Sequence, residues 1–154
     1  MIDVPKASLL QIRSKTIEVN VMYATNTKFK VDGPIEVKYL GFLVTTAIPA
    51  GANTLKFRFT SLGGTVQDLC GVTDTASASK MQLFLVNGTK GTALVKTTAI
   101  GVLAGGQALS MPIILSDGII TTVFSASSAP ASGAGKIFMT YFPLSARSNV
   151  TVNI

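Results

Sequence analysis
The stretch Phe42–Phe59, FLVTTAIPAGANTLKFRF, decides the fold class. It opens on uncharged, mostly β-branched or small residues and turns at Pro49-Ala50-Gly51-Ala52-Asn53. It then alternates, with Leu55, Phe57 and Phe59 set against Lys56 and Arg58. A period of two places every second side chain on one face, so the segment reads as strand, turn and strand. Nothing in it moves a proton, holds a metal or attacks a carbonyl.

Neighbouring segments repeat this character. Residues 16–24, TIEVNVMYA, alternate Ile17, Val19, Val21 and Tyr23 against Glu18, Asn20 and Met22. Residues 27–48 give two more strands hinged at Asp32-Gly33-Pro34. Asp117-Gly118 predicts a second turn of that kind, and Asn87-Gly88 between apolar runs predicts a hairpin. Gly63 to Lys80 lacks a clear period and reads as a loop with room for one helical turn. Residues 125–135, SASSAPASGAG, read as a surface loop, and 1–15 as a candidate N-terminal arm. No segment carries a sustained apolar stripe at helical spacing. Eight to ten short strands with Gly, Pro, Asn-Gly and Asp-Gly punctuation predict one all-β domain over 1–154. The first choice is an antiparallel, jelly-roll-like β-sandwich, and the alternative is an immunoglobulin-like sandwich. The expected core is Val19, Val21, Phe57, Phe59, Leu83, Leu85, Ile137 and Met139.

The 154 residues suffice to bury roughly 70% of the unfolded surface. Only 13% of them are charged while 47% are hydrophobic, so few charges cover the exterior. Weakly charged apolar exteriors tend to associate, which predicts a homo-oligomer. Thirteen Lys and Arg against seven Asp and Glu leave a net charge of +6. The excess suits an acidic partner, but no basic run points to direct nucleic-acid binding. The start of the chain shows no signal-peptide order, which suggests synthesis in the host cytoplasm. Thr97 to Ser116 carries no charge over twenty residues. Gly105-Gly106 in its middle and Pro112 beyond make strand–turn–strand a better reading than a membrane span.

The chemistry is sparse. With no His, a Ser-His-Asp or Cys-His arrangement cannot be built, and one Cys cannot make a zinc site. The expectation is no enzyme, no cofactor and no metal. Cys70 reads as a small buried hydrophobe. Asp68 and Asp74 share a loop and are a conceivable carboxylate pair for glycoside hydrolysis or calcium, although neither an EF-hand pattern nor a dense acidic cluster surrounds them. The pairs Gly63-Gly64 and Gly105-Gly106 match no phosphate-binding pattern. The NGT at Asn87 and NVT at Asn149 read as turn and strand residues. One constellation is suggestive: Lys28 and Lys30 flank Phe29, and Lys56 and Arg58 flank Phe57. Residues two apart share a strand face, so each strand offers paired cations outward. Lys38 joins them if the strands are neighbours. These five form a candidate docking patch.

An all-β chain without His, with few charges and with phrases such as TTAIPAGANTLKFRF and GKIFMTYFPLS resembles virion structural proteins of tailed bacteriophages. The nearest type is the capsid decoration, or cement, protein. The resemblance implies a small sandwich or jelly-roll domain, a homotrimer that bridges neighbouring major capsid subunits, and location in the virion. No motif carries a particular residue over. The alternative is a carbohydrate- or receptor-binding β-sandwich module, as in adhesins or tail fibres. Such sites display exposed Trp or Tyr, and here Trp is absent and Tyr occurs three times.

Overall fold
Nineteen residues with apolar side chains at nearly every second position form the strand around which the sheet is built. This is β2 (Lys28–Thr46) of the computed structural model, which describes residues 13–23, 25–97, 113–125 and 132–153. Before it comes β1 (Lys15–Met22), and after it β3 (Thr54–Ser61), β4 (Val66–Asp68) and β5 (Thr73–Asp74). Then follow β6 (Leu83–Leu85), β7 (Val95–Lys96), β8 (Ile113–Ser125), β9 (Ala134–Pro143) and β10 (Asn149–Asn153). The described residues contain no helix, and every strand pair is antiparallel. The chain is an all-β antiparallel sandwich, as its alternation predicts. The backbone path runs β1-β9-β2-β8-β3-β4. β10 and β6 pair with other parts of β2, β5 pairs with β3, and β7 with β6.

β2 keeps one face to the core over its whole length through a change of parity. Phe29, Val31, Ile35 and Val37 are buried at odd positions, then Leu40, Phe42 and Val44 at even ones. A register shift against β9 between Val37 and Tyr39 supplies the extra residue. Such a bulge flips the side chains that follow, so both halves face the same core. A second irregularity joins β2 to β8. The ladder slips between Val31 and Pro34, where Gly33 has φ +73° and Asp117 φ +46°. The Asp117 carboxylate accepts the Gly33 N–H at 2.8 Å.

This corrects the reading of both Asp-Gly pairs as turns between strands. Each lies inside one continuous strand, β2 or β8. The positive φ is spent on bulges because β10, β9 and β3 hold the flanking residues in ladders. Asn87-Gly88 does lie between paired strands, β6 and β7, within a connection of nine residues, 86–94. The 63–80 region holds β4 and β5 and no helical turn. Of the candidate arm, only 13–15 belong to the described residues, as do only Thr97 and 113–116 of the uncharged run. Residues 126–131 of the small-residue loop also lie outside them.

Six of the eight expected core residues are buried: Val21, Phe57, Phe59, Leu85, Ile137 and Met139. Val19 is half-buried and packs against the core from β1, an edge strand among the described residues. On β6 the faces are reversed. Phe84 and Val86 enter the core cluster, Leu83 is half-buried, and Leu85 is covered on the opposite side of the sheet. A three-residue strand is too short for alternation to decide which face is inward. Each of the fully buried rings Phe29, Phe42, Phe57 and Phe84 withdraws roughly 150–250 Å² from water.

Candidate functional site
The residues between these buried positions make the opposite face. On β2 they are Lys28 and Lys30, and on β3 Lys56, Arg58 and Thr60. β8 runs between the two strands and contributes Ile119, Thr121 and Val123. Lys28 lies opposite Thr121, and Thr121 opposite Arg58. β10 extends the row with Asn153 beside Lys28, and β4 with Asp68 beside Arg58. The next row reads Thr151, Lys30, Ile119, Thr60 and Val66. Five strands at the usual interstrand spacing span about 19 Å.

The register therefore brings Lys28, Lys30, Lys56 and Arg58 onto one face and leaves Lys38 apart. Lys38 lies beyond the β2–β8 ladder, which ends at Val37. It pairs with Glu36 at 2.7 Å and sits over the Phe142 ring on β9.

Three of the four cations in the rows have carboxylate partners. Asp68 takes Arg58 Nε on one oxygen at 2.9 Å and Lys56 Nζ on the other at 3.0 Å. These two hydrogen bonds, that from Arg58 first, hold the Asp68 carboxyl below its ordinary range. Lys30 pairs with Asp32 at 3.0 Å. Lys28 makes no ion pair among the described residues. Four cations and two carboxylates leave the face with a modest positive excess. A shallow groove of about 240 Å³ opens beside the middle of the second row, lined by Lys30, Asp32, Thr60, Leu62, Asp117 and Ile119. A second, of about 290 Å³, lies between Gln67–Leu69, Lys90 and Ile113–Leu115.

The remaining sequence candidates have local roles. Asp74 lies opposite Thr54 on β3 and accepts the Ala76 N–H at 2.8 Å, apart from the Asp68 cluster. Cys70 is buried, its Sγ accepts the Phe57 N–H, and burial pushes the thiol up to about 11. Gly63-Gly64 forms the β3–β4 turn, with Gly64 at φ +84°. Asn87 Oδ1 accepts the Thr89 hydroxyl, and Asn149 Oδ1 accepts that of Tyr141. Tyr23 and Tyr141 are buried, which leaves Tyr39 as the exposed tyrosine. No group of three or more His, Cys, Asp or Glu side chains converges among the described residues.

Sequence reasoning missed Thr121 and the role of Asp68 as counter-ion. Both depend on which strands are neighbours and in what register, and periodicity within a strand carries no such information. Comparison with protein-family models, with curated proteins and with solved structures returned no match.

Proposed function
We propose that this chain is a non-enzymatic structural protein of a virus particle, a capsid decoration (cement) protein that stabilises contacts between major capsid subunits. The observation that carries the reading is the five-strand outward face, where cations and Thr hydroxyls lie in register beside Ile119 and Val66. A broad, shallow, mixed face suits docking on another protein surface more than enclosure of a small molecule. Exposed apolar side chains add to the case: Leu62 is 86% exposed, and Ile114 and Met22 are each 70% exposed. Closed symmetry would cover such residues identically in every copy, which favours a homotrimer. A protein bound across a joint stabilises the assembled state by mass action and requires no catalytic group. The carbohydrate-binding alternative is weakened by the burial of Tyr23 and Tyr141.

Co-sedimentation with purified tailed-phage heads, together with light scattering of the free protein, tests this proposal. Saturable binding by a defined oligomer is the expected result. A strict monomer that binds no particle but binds a glycan would transfer the assignment to the ligand-binding module.

A further inference from the structure
We infer that Lys28, Thr121 and Arg58 form an oxyanion-binding row that takes the carboxylates of an acidic polypeptide segment. This rests on the docking reading above and names the partner's chemistry at that face. Arg58 commits only its Nε to Asp68, and its two terminal nitrogens have no partner among the described residues. A guanidinium carries five N–H donors, so the free end remains able to grip a second carboxylate with two parallel bonds. Thr121 is the next residue in the row, and its hydroxyl makes no hydrogen bond among the described residues. Lys28 follows, exposed and without a counter-ion among the described residues. The register sets these three side chains on one face of adjacent strands.

Arg58 and Lys28 therefore start about 10 Å apart at the backbone, with a hydroxyl between them. Carboxylates at positions i and i+2 of an extended chain lie about 7 Å apart, within reach of two long flexible cations. One carboxylate meets the guanidinium fork, the other meets the ammonium, and the Thr121 hydroxyl donates between them. Asp68 and Asp32 already pair with Lys56, Lys30 and the Arg58 Nε. Their negative charges lower the pull of those cations on a second carboxylate, so the row with Lys28 and the free guanidinium end is the favoured place for one.

Binding of polyglutamate to the full chain, followed by calorimetry at low salt, tests the row. Lys28→Gln with Arg58→Gln should weaken binding roughly tenfold or more, the worth of a charge-assisted pair. Lys15→Gln with Lys80→Gln makes the same charge change elsewhere and should weaken it far less. Arg58→Lys keeps the charge and the means to pair with Asp68 but loses the fork, and should give an intermediate loss. It also guards against a misfolded double variant. Equal losses for the two double variants would reduce the row to net charge and overturn the inference. So would tighter binding of single-stranded DNA than of polyglutamate, lost with the same residues. If wild-type protein binds polyglutamate through the row but sediments with no particle, the docking reading fails and the row stands. If the Lys28→Gln, Arg58→Gln protein sediments with particles as well as wild type does, the row fails and the docking reading stands.

Discussion
The two halves of β2 treat their outward faces in opposite ways. From Lys28 to Val37 the strand lies between β10 or β9 and β8, and Lys28 and Lys30 project into solvent. Past the still exposed Tyr39, at Gly41–Leu43, it lies between β9 and β6, and there the outward side is closed at Gly41 and half-covered at Leu43. Gly41 is buried, and a Cβ added to it would meet the Phe84 carbonyl oxygen at 2.5 Å, Leu85 Cδ2 at 2.8 Å and Phe138 Cζ at 3.0 Å. The inward faces are alike: Phe29 and Phe42 are both 0% exposed. One strand thus contributes to a single core throughout, with its outer side open at Lys28 and Lys30 and closed around Gly41. The β2–β8 ladder ends at Val37, between the two, so Lys38 pairs locally with Glu36 and Phe142 rather than with the cation rows.

The largest effects should fall on the shared inward face. Phe29→Ala and Phe42→Ala should each cost about 3–5 kcal/mol in chemical denaturation, because both leave cavities in one core. A cost below roughly 1 kcal/mol at Phe29 would mean that the open half is not part of that core. On the outward face the halves should diverge. Gly41→Ala should cost about 1–3 kcal/mol, since the Phe84 backbone and β6 must shift to admit a methyl group. Lys30→Ala, on the open half, should stay within about 0.5 kcal/mol. Equal costs at Gly41 and Lys30 would break the comparison.

Much of this arrangement was legible in the sequence. The all-β class follows from period-two alternation, which also gives β3 its correct inward set, Leu55, Phe57 and Phe59. The change of parity between Val37 and Leu40 was also present as a spacing of three between apolar residues. Asp32-Gly33 and Asp117-Gly118 misled because a positive-φ pair can end a strand or kink it. The choice depends on whether neighbouring strands keep their ladders on either side, which is a tertiary fact. The docking patch was half legible for the same reason. Lys28 and Lys30, like Lys56 and Arg58, share a face by strand geometry alone. Only the register through β8 brings the two pairs together, inserts Thr121 between them, and sets Asp68 beside Arg58.

Reversing the charge of the open half sharpens its contrast with the covered half. Lys56→Glu with Arg58→Glu removes both partners of Asp68 and puts three carboxylates together. The pairs are partly solvent-screened, so the fold should lose only roughly 1–2 kcal/mol. Association with an acidic surface should suffer more. Its rate should fall, and the deficit should deepen as salt is lowered, because less screening lengthens the reach of the repulsion. Stopped-flow mixing with polyglutamate across a salt series measures this directly. A deficit independent of salt would indicate that the variant had damaged shape rather than charge.

Acid sensitivity should be small as well, and it should originate in the open half and at its joint with β8. Asp68 is held below its ordinary carboxylate value of 3.8 by Arg58 and Lys56, and Asp117 by the Gly33 N–H and then the Ser116 hydroxyl. A carboxyl whose folded pKa is depressed stabilises the fold above its unfolded value and loses that contribution as pH falls through the folded one. The loss should therefore begin near pH 4 and continue below it. Asp68→Asn should flatten this acid limb by less than about 1 kcal/mol, because the side chain is 37% exposed and screened by water. Asp117→Asn should flatten it as well while preserving the backbone, since Asn tolerates the positive φ that Asp117 adopts. Urea midpoints measured from neutral pH down to pH 3 would follow both. An acid limb as steep with Asp68→Asn and Asp117→Asn combined as in wild type would sever the acid sensitivity from these two carboxylates.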